Sequence, residues 1–327
     1  MTPFDYTRAT TVADAVAAYA SRPDSAYLAG GTNLVDLIRK YVTVPAHVVD
    51  VSTLGLDRIE PLPGGGLRLG ATATNTQTAA DARVRRDYPV LSEAILAGAT
   101  QQLRNKATNG GNLLQRTRCP YFNDTDFPCN KREPGTGCPA QDGHNRMQAV
   151  LGTSDACLAV HASDMCVALA ALDATVQVAG PGGERAVPFT DLHVPPGDTP
   201  WIETVLEPGD LITAIDLPAP SALTRRSRYL KVRDRASYAF ALVSVAAALD
   251  VEGGRVADAR LALGGVGTVP WRAAEAEAAL RGERPTEAAF QRAAEIALSG
   301  AVTREHNAYK VPMAQRAVVR SLSALAA

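Results

Sequence analysis

The 327-residue chain is poor in cysteine, with 5, and in aromatics, at 5%. It has no apolar run approaching the ~18 residues of a membrane span. Its N-terminus, MTPFDYTRATTVADAV, lacks the basic stretch and apolar core of a secretory signal. Neither sign of charge dominates: 33 Lys and Arg stand against 34 Asp and Glu, for a net charge of −1 and a pI near 6.5. There is thus no electrostatic footprint for nucleic acid or an anionic membrane, and no internal repeat. What the chain has is 46% hydrophobic residues and a length of about two domains, ample for a sizeable core. Its expected partners are small molecules and other proteins.

Four of the scarce cysteines, Cys119, Cys129, Cys138 and Cys157, crowd into one stretch, RCPYFNDTDFPCNKREPGTGCPAQDGHNRMQAVLGTSDAC. Up to Asn145 its Pro, Gly, Asn and Asp content marks successive turns, with neither helical nor strand periodicity. A loop of this length inside a compact domain needs something to hold it. Structural zinc sites usually show two C-x2-4-C knuckles, because one tight turn delivers two ligands to one small ion, and neither knuckle is present. A [4Fe–4S] cubane takes one thiolate at each of four separated corners, so its ligands can come from separate turns. The spacing favours such a cluster; zinc stays open, and so do disulfides, which would need an oxidising compartment. Cys166, in DMCVALAAL, reads as a small core residue.

Two glycine motifs flank this loop. Ala29-Gly30-Gly31-Thr32-Asn33 follows the short apolar strand AYL and opens an apparent helix from Asn33 to Tyr41. Paired glycines let backbone amides approach a ligand closely, and a helix start offers unsatisfied N–H groups, which together suit phosphate. The pattern is neither G-x-G-x-x-G nor Walker A, so a Rossmann fold and a P-loop NTPase are not supported. The second motif, Thr108-Asn109-Gly110-Gly111-Asn112, follows a predicted helix at 91–100 and lies in a polar loop just before the cysteines. Two cradles suit a pyrophosphate. After Cys157 comes His161-Ala162-Ser163-Asp164, where Ser163 and Asp164 read either as a helix cap or, with such a cofactor near, as acceptors for ribose or ring N–H groups. His161 reads as a buried, satisfied histidine, with tuning of a nearby cluster as the alternative.

Elsewhere, a capping box at Thr11 to Asp14, the helix after it and the strands AYLAGG and AHVVDV predict a small βαβ-like unit over 1–55. A larger part with a mixed sheet is expected over 56–220, carrying the 119–157 loop. A Pro/Ala/Ser linker at 218–223 leads to a C-terminal unit over 221–327. There a long strand over 237–249 pairs with 255–263 across Glu252-Gly253-Gly254, and amphipathic helices are expected at 273–281, 286–299 and 308–326. The fold class expected is α+β.

The AGGTN and TNGGN motifs, HASDMCVALAALDA, YLKVRDRASYAFALVSVAAAL and LGGVGTVPWRAAEAE together resemble the FAD-binding subunits of the molybdenum hydroxylases, the xanthine dehydrogenase family, over essentially the whole chain. The cysteine loop is similar to that of members whose flavin subunit carries an extra [4Fe–4S] cluster, above all the bacterial periplasmic aldehyde oxidoreductases and more distantly 4-hydroxybenzoyl-CoA reductase. The resemblance implies a two-part FAD-binding domain over 1–220 followed by a flavoprotein C-terminal domain of sheet and helices. It implies that Leu28, Ala29, Gly30, Gly31, Thr32, Asn33 and Leu34, with Thr108, Gly110, Gly111 and Asn112, hold FAD, chiefly through backbone amides at its pyrophosphate. It further implies that Asp164 contacts the nucleotide, that Lys231 lies near the isoalloxazine and that Ile212 makes an apolar ring contact. Cys119, Cys129, Cys138 and Cys157 would hold the cluster. Two departures stand out: Asn109 where the family loop usually has an apolar residue, and Ala162 where it often has proline.

By the same resemblance the chain is an electron-exit module. Substrate would be oxidised at a molybdenum cofactor in a large partner subunit, a small subunit with two [2Fe–2S] clusters would relay electrons, and FAD would pass them to an external acceptor. A heterotrimer or a dimer of heterotrimers is expected, acting on aldehydes, in the cytoplasm or in the periplasm if exported folded with a signal-bearing partner. The alternatives are the flavin subunit of a xanthine dehydrogenase or of an aromatic acyl-CoA reductase, and, outside enzymes, a zinc-binding scaffold subunit.

Overall fold

The computed structural model describes residues 1–327. Three sheets organise them. In the first, Asp5–Arg8 and Ser25–Leu28 both pair parallel with the central strand His47–Asp50. All four residues of that central strand are buried, as parallel pairing with cover on both faces requires. The helix Val12–Ala20 starts at Thr11, whose hydroxyl accepts the Asp14 amide, but the Asp14 carboxylate takes the Thr10 hydroxyl instead of closing the box. The second helix is shorter than its sequence pattern, Leu34–Arg39, and Asn33 does not cap it.

The second sheet has the order Ile59–Pro61, Leu67–Gly70, Leu211–Leu217, Thr175–Gly180, Gly183–Pro188. It is antiparallel throughout, where a mixed sheet was expected. The reason is topological: no helical crossover joins neighbouring strands, and the long helix- and loop-bearing excursion between residues 70 and 175 leaves the sheet altogether. The third sheet is the predicted C-terminal hairpin, Val243–Glu252 with Arg255–Gly264, flanked by Ser227–Val232 and Trp271–Arg272. The long strand begins six residues later than its sequence pattern, because Tyr238, at φ 50°, turns the chain before it. Helices Ala274–Leu280, Glu287–Ala297 and Lys310–Ala326 cover this sheet. In Glu287–Ala297 the buried residues Ala289, Phe290, Ala293, Ala294 and Ala297 follow the i, i+3, i+4 spacing of one helical face.

The cores do not divide where the chain does. The helix Asp164–Ala171, every residue of which is buried, packs with the second sheet and also with Tyr229, Ala246 and Ala262 of the third. Cys166 belongs to this core, as its apolar surroundings predicted. The cysteine loop has a small core of its own, in which Leu37 and Val42 of the first unit meet Phe122, Cys129 and Cys119. No helix is long and apolar enough to cross a membrane.

Candidate cofactor and metal sites

A cleft of about 1100 Å³ opens between the first sheet and the second. Its walls bring together Leu28 to Leu34, Thr108, Gly110, Gly111 and Ile212. The two glycine motifs touch: the Gly30 Cα faces the Lys106 carbonyl so closely that a Cβ would stand 1.9 Å from its oxygen. Gly31, at φ 73°, turns the chain from strand to helix.

The two motifs differ in what they leave free. In the second, Thr108 caps a one-turn helix over Asn109–Leu113, and the amides of Asn109, Gly110, Gly111 and Asn112 bond to the Ala73 and Ala71 carbonyls, the Thr108 hydroxyl and the Thr108 carbonyl. The polar loop expected there is thus a folded and internally satisfied turn. In the first motif the amides of Gly30, Gly31, Thr32, Asn33 and Leu34 find no acceptor in the protein. The Asn33 Nδ2 and the Thr43 and Thr72 hydroxyls, all lining the cleft, are likewise buried without partners. Buried polar groups left unpaired cost ~1–3 kcal/mol each, so a row of free donors beside three orphaned polar atoms fits an anionic, oxygen-rich ligand such as a pyrophosphate.

Asn112, Asp164 and Lys231 lie outside the cleft but continue from it by hydrogen bonds. Asn112 Oδ1 accepts the Ser163 hydroxyl at 2.6 Å, and Ser163 caps the helix that begins with Asp164. Asp164 accepts from the Tyr229 hydroxyl at 2.7 Å and from Lys231 Nζ at 2.8 Å, while Lys231 also donates to the Ala97 carbonyl. This ion pair is buried, with side chains 4% and 9% exposed. Burial first, then the Asp164 charge, push the Tyr229 phenol well above its ordinary value. Asn109 is fully buried and satisfied: Nδ2 donates to the Gly70 carbonyl and the Thr78 hydroxyl, and Oδ1 faces Thr78 and Asn75. The polar departure from the family's apolar residue is therefore matched by polar neighbours.

The four loop cysteines are free thiols that line a single small cavity with Tyr121, Phe122, Lys131 and Ala159. Burial pushes Cys119 and Cys138 up and Cys157 to about 11, with Lys131 opposing it at Cys157. Neighbouring cysteines push Cys119, Cys138 and Cys157 in the same direction as burial. No three of their sulfurs close to within 4.8 Å of one another.

A second cavity, of about 670 Å³, lies between the cysteine loop and Asp164: Cys119, Gln148, His161, Ser163, Asp164 and Phe240 all line it. The orphaned Arg118 Nε and Ser244 Oγ also belong to its walls. His161 is not the satisfied histidine expected. Its Nδ1 accepts the Ser163 amide, but Nε2 is buried without a partner and the ring meets His193 edge-on at 4.4 Å. His161, His193 and Cys166 bring ligand atoms within 4.8 Å of one another. In this trio the Ser163 contact leaves the His161 proton on Nε2, so that nitrogen has no free lone pair for a metal. His193 escaped sequence analysis, because 32 residues separate it from His161 and no motif surrounds it.

Comparison with known proteins places the whole chain in a family that binds FAD. Residues 2–220 match the family described as the FAD binding domain in molybdopterin dehydrogenase, and residues 228–325 match the CO dehydrogenase flavoprotein C-terminal domain. The chain is 52% identical over 281 residues to the aldehyde oxidoreductase FAD-binding subunit PaoB of Escherichia coli (strain K12), covering 86% of each. It is 28% identical over 307 residues to the carbon monoxide dehydrogenase medium chain of Afipia carboxidovorans, covering 92% of this chain and 86% of that one. Among solved structures, quinoline 2-oxidoreductase from Pseudomonas putida 86 superposes with a TM-score of 0.76 at 26% identity, over 99% of this chain and 97% of that one. The Cu,Mo-CO dehydrogenase structure gives a TM-score of 0.77 at 25% identity, over 99% and 98%. With both of its halves matched in this way, the chain belongs to the FAD-binding medium subunits of the molybdenum hydroxylases, oxidoreductases whose molybdenum site lies on another chain.

Proposed function

We propose that this subunit serves an aldehyde-oxidising molybdenum hydroxylase, carrying FAD and a [4Fe–4S] cluster in adjoining sites and passing electrons from its partners to an external acceptor. The observation that carries the flavin site is the row of unpaired amides from Gly30 to Leu34 beside the orphaned Asn33 Nδ2 and Thr72 Oγ1. FAD, when bound, supplies an acceptor of two electrons that releases them singly or in pairs. The first motif donates to the pyrophosphate, while the second, satisfied internally, acts as the rigid wall against which Gly30 is set. Ile212 closes the apolar side of the cleft. Asp164 would accept from the cofactor's polar end while holding Lys231, which Asp164 and the Ala97 carbonyl fix in place.

Cys119, Cys129, Cys138 and Cys157 bind the cluster, a reading supported by the small cavity that all four line. The cavity from Cys119 to Asp164 keeps the two redox sites adjacent. Domain limits of 1–220, with subdivisions 1–55 and 56–220, and 221–327 follow from the strand and linker pattern. The partners are a large molybdenum-cofactor subunit and a small subunit with two [2Fe–2S] clusters, in a heterotrimer or a dimer of heterotrimers. Aldehydes are favoured as substrates by the 52% identity to an aldehyde oxidoreductase subunit, against 28% to a xanthine dehydrogenase FAD-binding subunit of Escherichia coli O157:H7.

The test is the visible spectrum and metal content of the chain co-purified with its partners, before and after Cys129→Ser. Flavin bands with a broad iron–sulfur shoulder are expected, and the variant loses this chain's iron while keeping FAD. A colourless chain with stoichiometric zinc refutes the electron-transfer reading, and unchanged iron in the variant refutes the ligand set. Turnover of aldehydes, purines and aromatic acyl-CoA esters by the same complex decides the substrate.

A further inference from the structure

Backbone amides approach the cysteine sulfurs at several points. Only one side chain donates to any of them: Gln148 Nε2 lies 3.2 Å from Cys119 Sγ. Gln148 is 2% exposed, so water does not compete for this bond. An N–H donated to a cluster-bound thiolate stabilises the more negatively charged, reduced form, and hydrogen bonds to the sulfurs are among the factors that set a cluster's potential.

Gln148 is held in place from a distant part of the chain. The segment 302–310, which leads into the last helix, grips the residues on either side of it. Lys310, 0% exposed, donates Nζ to the Met147 carbonyl at 2.9 Å and to the Gly265 carbonyl at 2.6 Å. Asn307, also fully buried, donates Nδ2 to the Ala149 carbonyl at 3.1 Å. Val302 N–H reaches the Val150 carbonyl at 2.7 Å, the Tyr309 hydroxyl the Arg146 carbonyl at 3.0 Å and the His306 amide the Asn145 side chain at 2.9 Å. Burial pushes the Lys310 amine down to about 7. Both its charged and neutral forms carry enough hydrogens for the two bonds, so the grip persists across that pH.

We propose that Gln148 sets the reduction potential of the group held by the four cysteines through its bond to Cys119, and that Lys310 and Asn307 are positioning residues that aim it. The inference rests on the cluster reading above. Its chemistry transfers no atom: one electron enters the cluster, and the fixed N–H dipole makes that reduced state more favourable.

The experiment is a redox titration of this chain's cluster in the intact complex, followed by electron paramagnetic resonance, with the iron-to-FAD ratio measured on every sample. Gln148→Met, close in volume and without a donor, should keep iron and FAD and move the midpoint to more negative potential. Lys310→Met should move it in the same direction, and the double variant no further than Gln148→Met alone. If Gln148→Met does not load iron, Gln148→Glu, which keeps length and polarity but donates no N–H, replaces it with the same expected direction. An unchanged midpoint in an iron-replete Gln148 variant overturns the assignment, and additive shifts in the double variant overturn the positioning role of Lys310. Absence of this cluster's signal from the wild-type complex refutes the cluster reading itself, a separable outcome because it is read before any variant is made.

Discussion

Gly30→Ala is the sharpest perturbation of the flavin cleft. The added Cβ would stand 1.9 Å from the Lys106 carbonyl oxygen, where real Cβ atoms essentially never come within 3.0 Å, so the two cradles must separate by at least 1.1 Å. The obstacle is backbone, so no side-chain rotation relieves it. Amides of the first motif bonded to phosphate near the usual ~2.9 Å would then stand beyond hydrogen-bond reach. Losing two hydrogen bonds to a charged group costs about 3–6 kcal/mol, or roughly 10²–10⁴-fold in affinity. The assay is FAD affinity by flavin fluorescence quenching on deflavinated protein, with thermal unfolding as a check on folding. Gly64→Ala is the control, because nothing lies within 4 Å of its Cβ position and its φ is not in the left-handed region. A Gly30→Ala protein that binds FAD within twofold of wild type would refute the close approach of Gly30 to Lys106 and the first motif's grip on the cofactor.

Lys231→Met leaves Asp164 charged and buried, so it should cost about 3–5 kcal/mol in denaturant unfolding, and Lys231→Met with Asp164→Asn should recover part of that loss; a single variant within 0.5 kcal/mol of wild type would show the pair to be solvated. Asn109→Leu puts an apolar residue there but orphans the Thr78 hydroxyl, while the Gly70 carbonyl keeps the Ala73 amide, so a loss of about 1–3 kcal/mol is expected with FAD content unchanged, measured by urea midpoint and flavin stoichiometry. Asp87 is held down to about 2 by Arg86, with Arg225 assisting against the cost of burial. A depressed carboxylate stabilises the fold above its unfolded value near 4 and loses that contribution as pH falls toward 2. With both arginines facing water it is worth about 1–2 kcal/mol, and Asp87→Asn should flatten the unfolding profile in that window.

Much of this architecture is legible in the chain. Gly253 and Gly254 between two apolar runs specify the C-terminal hairpin, and the spacing of Ala289, Phe290, Ala293 and Ala297 specifies a helix with one buried face. The glycine pairs mark where backbone must come close. What they do not disclose is which pair keeps its amides free, because that depends on partners such as Ala71 and Ala73, whose approach is set by the second sheet. The antiparallel course of that sheet was hidden for a similar reason: Leu67–Gly70 pairs with Leu211–Leu217 across more than a hundred residues, and alternation within a strand does not name its neighbour. Gln148 was invisible as a site residue because nothing along the chain tells which of the loop's polar side chains turns toward Cys119, 29 residues before it.

The grip of segment 302–310 on the cysteine loop has a consequence in time. Cys157 leaves the ribosome 145 residues before Val302, which at ~5–20 residues per second is roughly 7–30 s. For that interval the four thiols exist without the strands and side chains that aim Gln148 and close the loop. Metal delivered to the nascent chain would meet a site not yet assembled, whereas metal delivered after release would meet a finished one. On the cluster reading proposed above, loading of this loop would be tied to completion of the polypeptide.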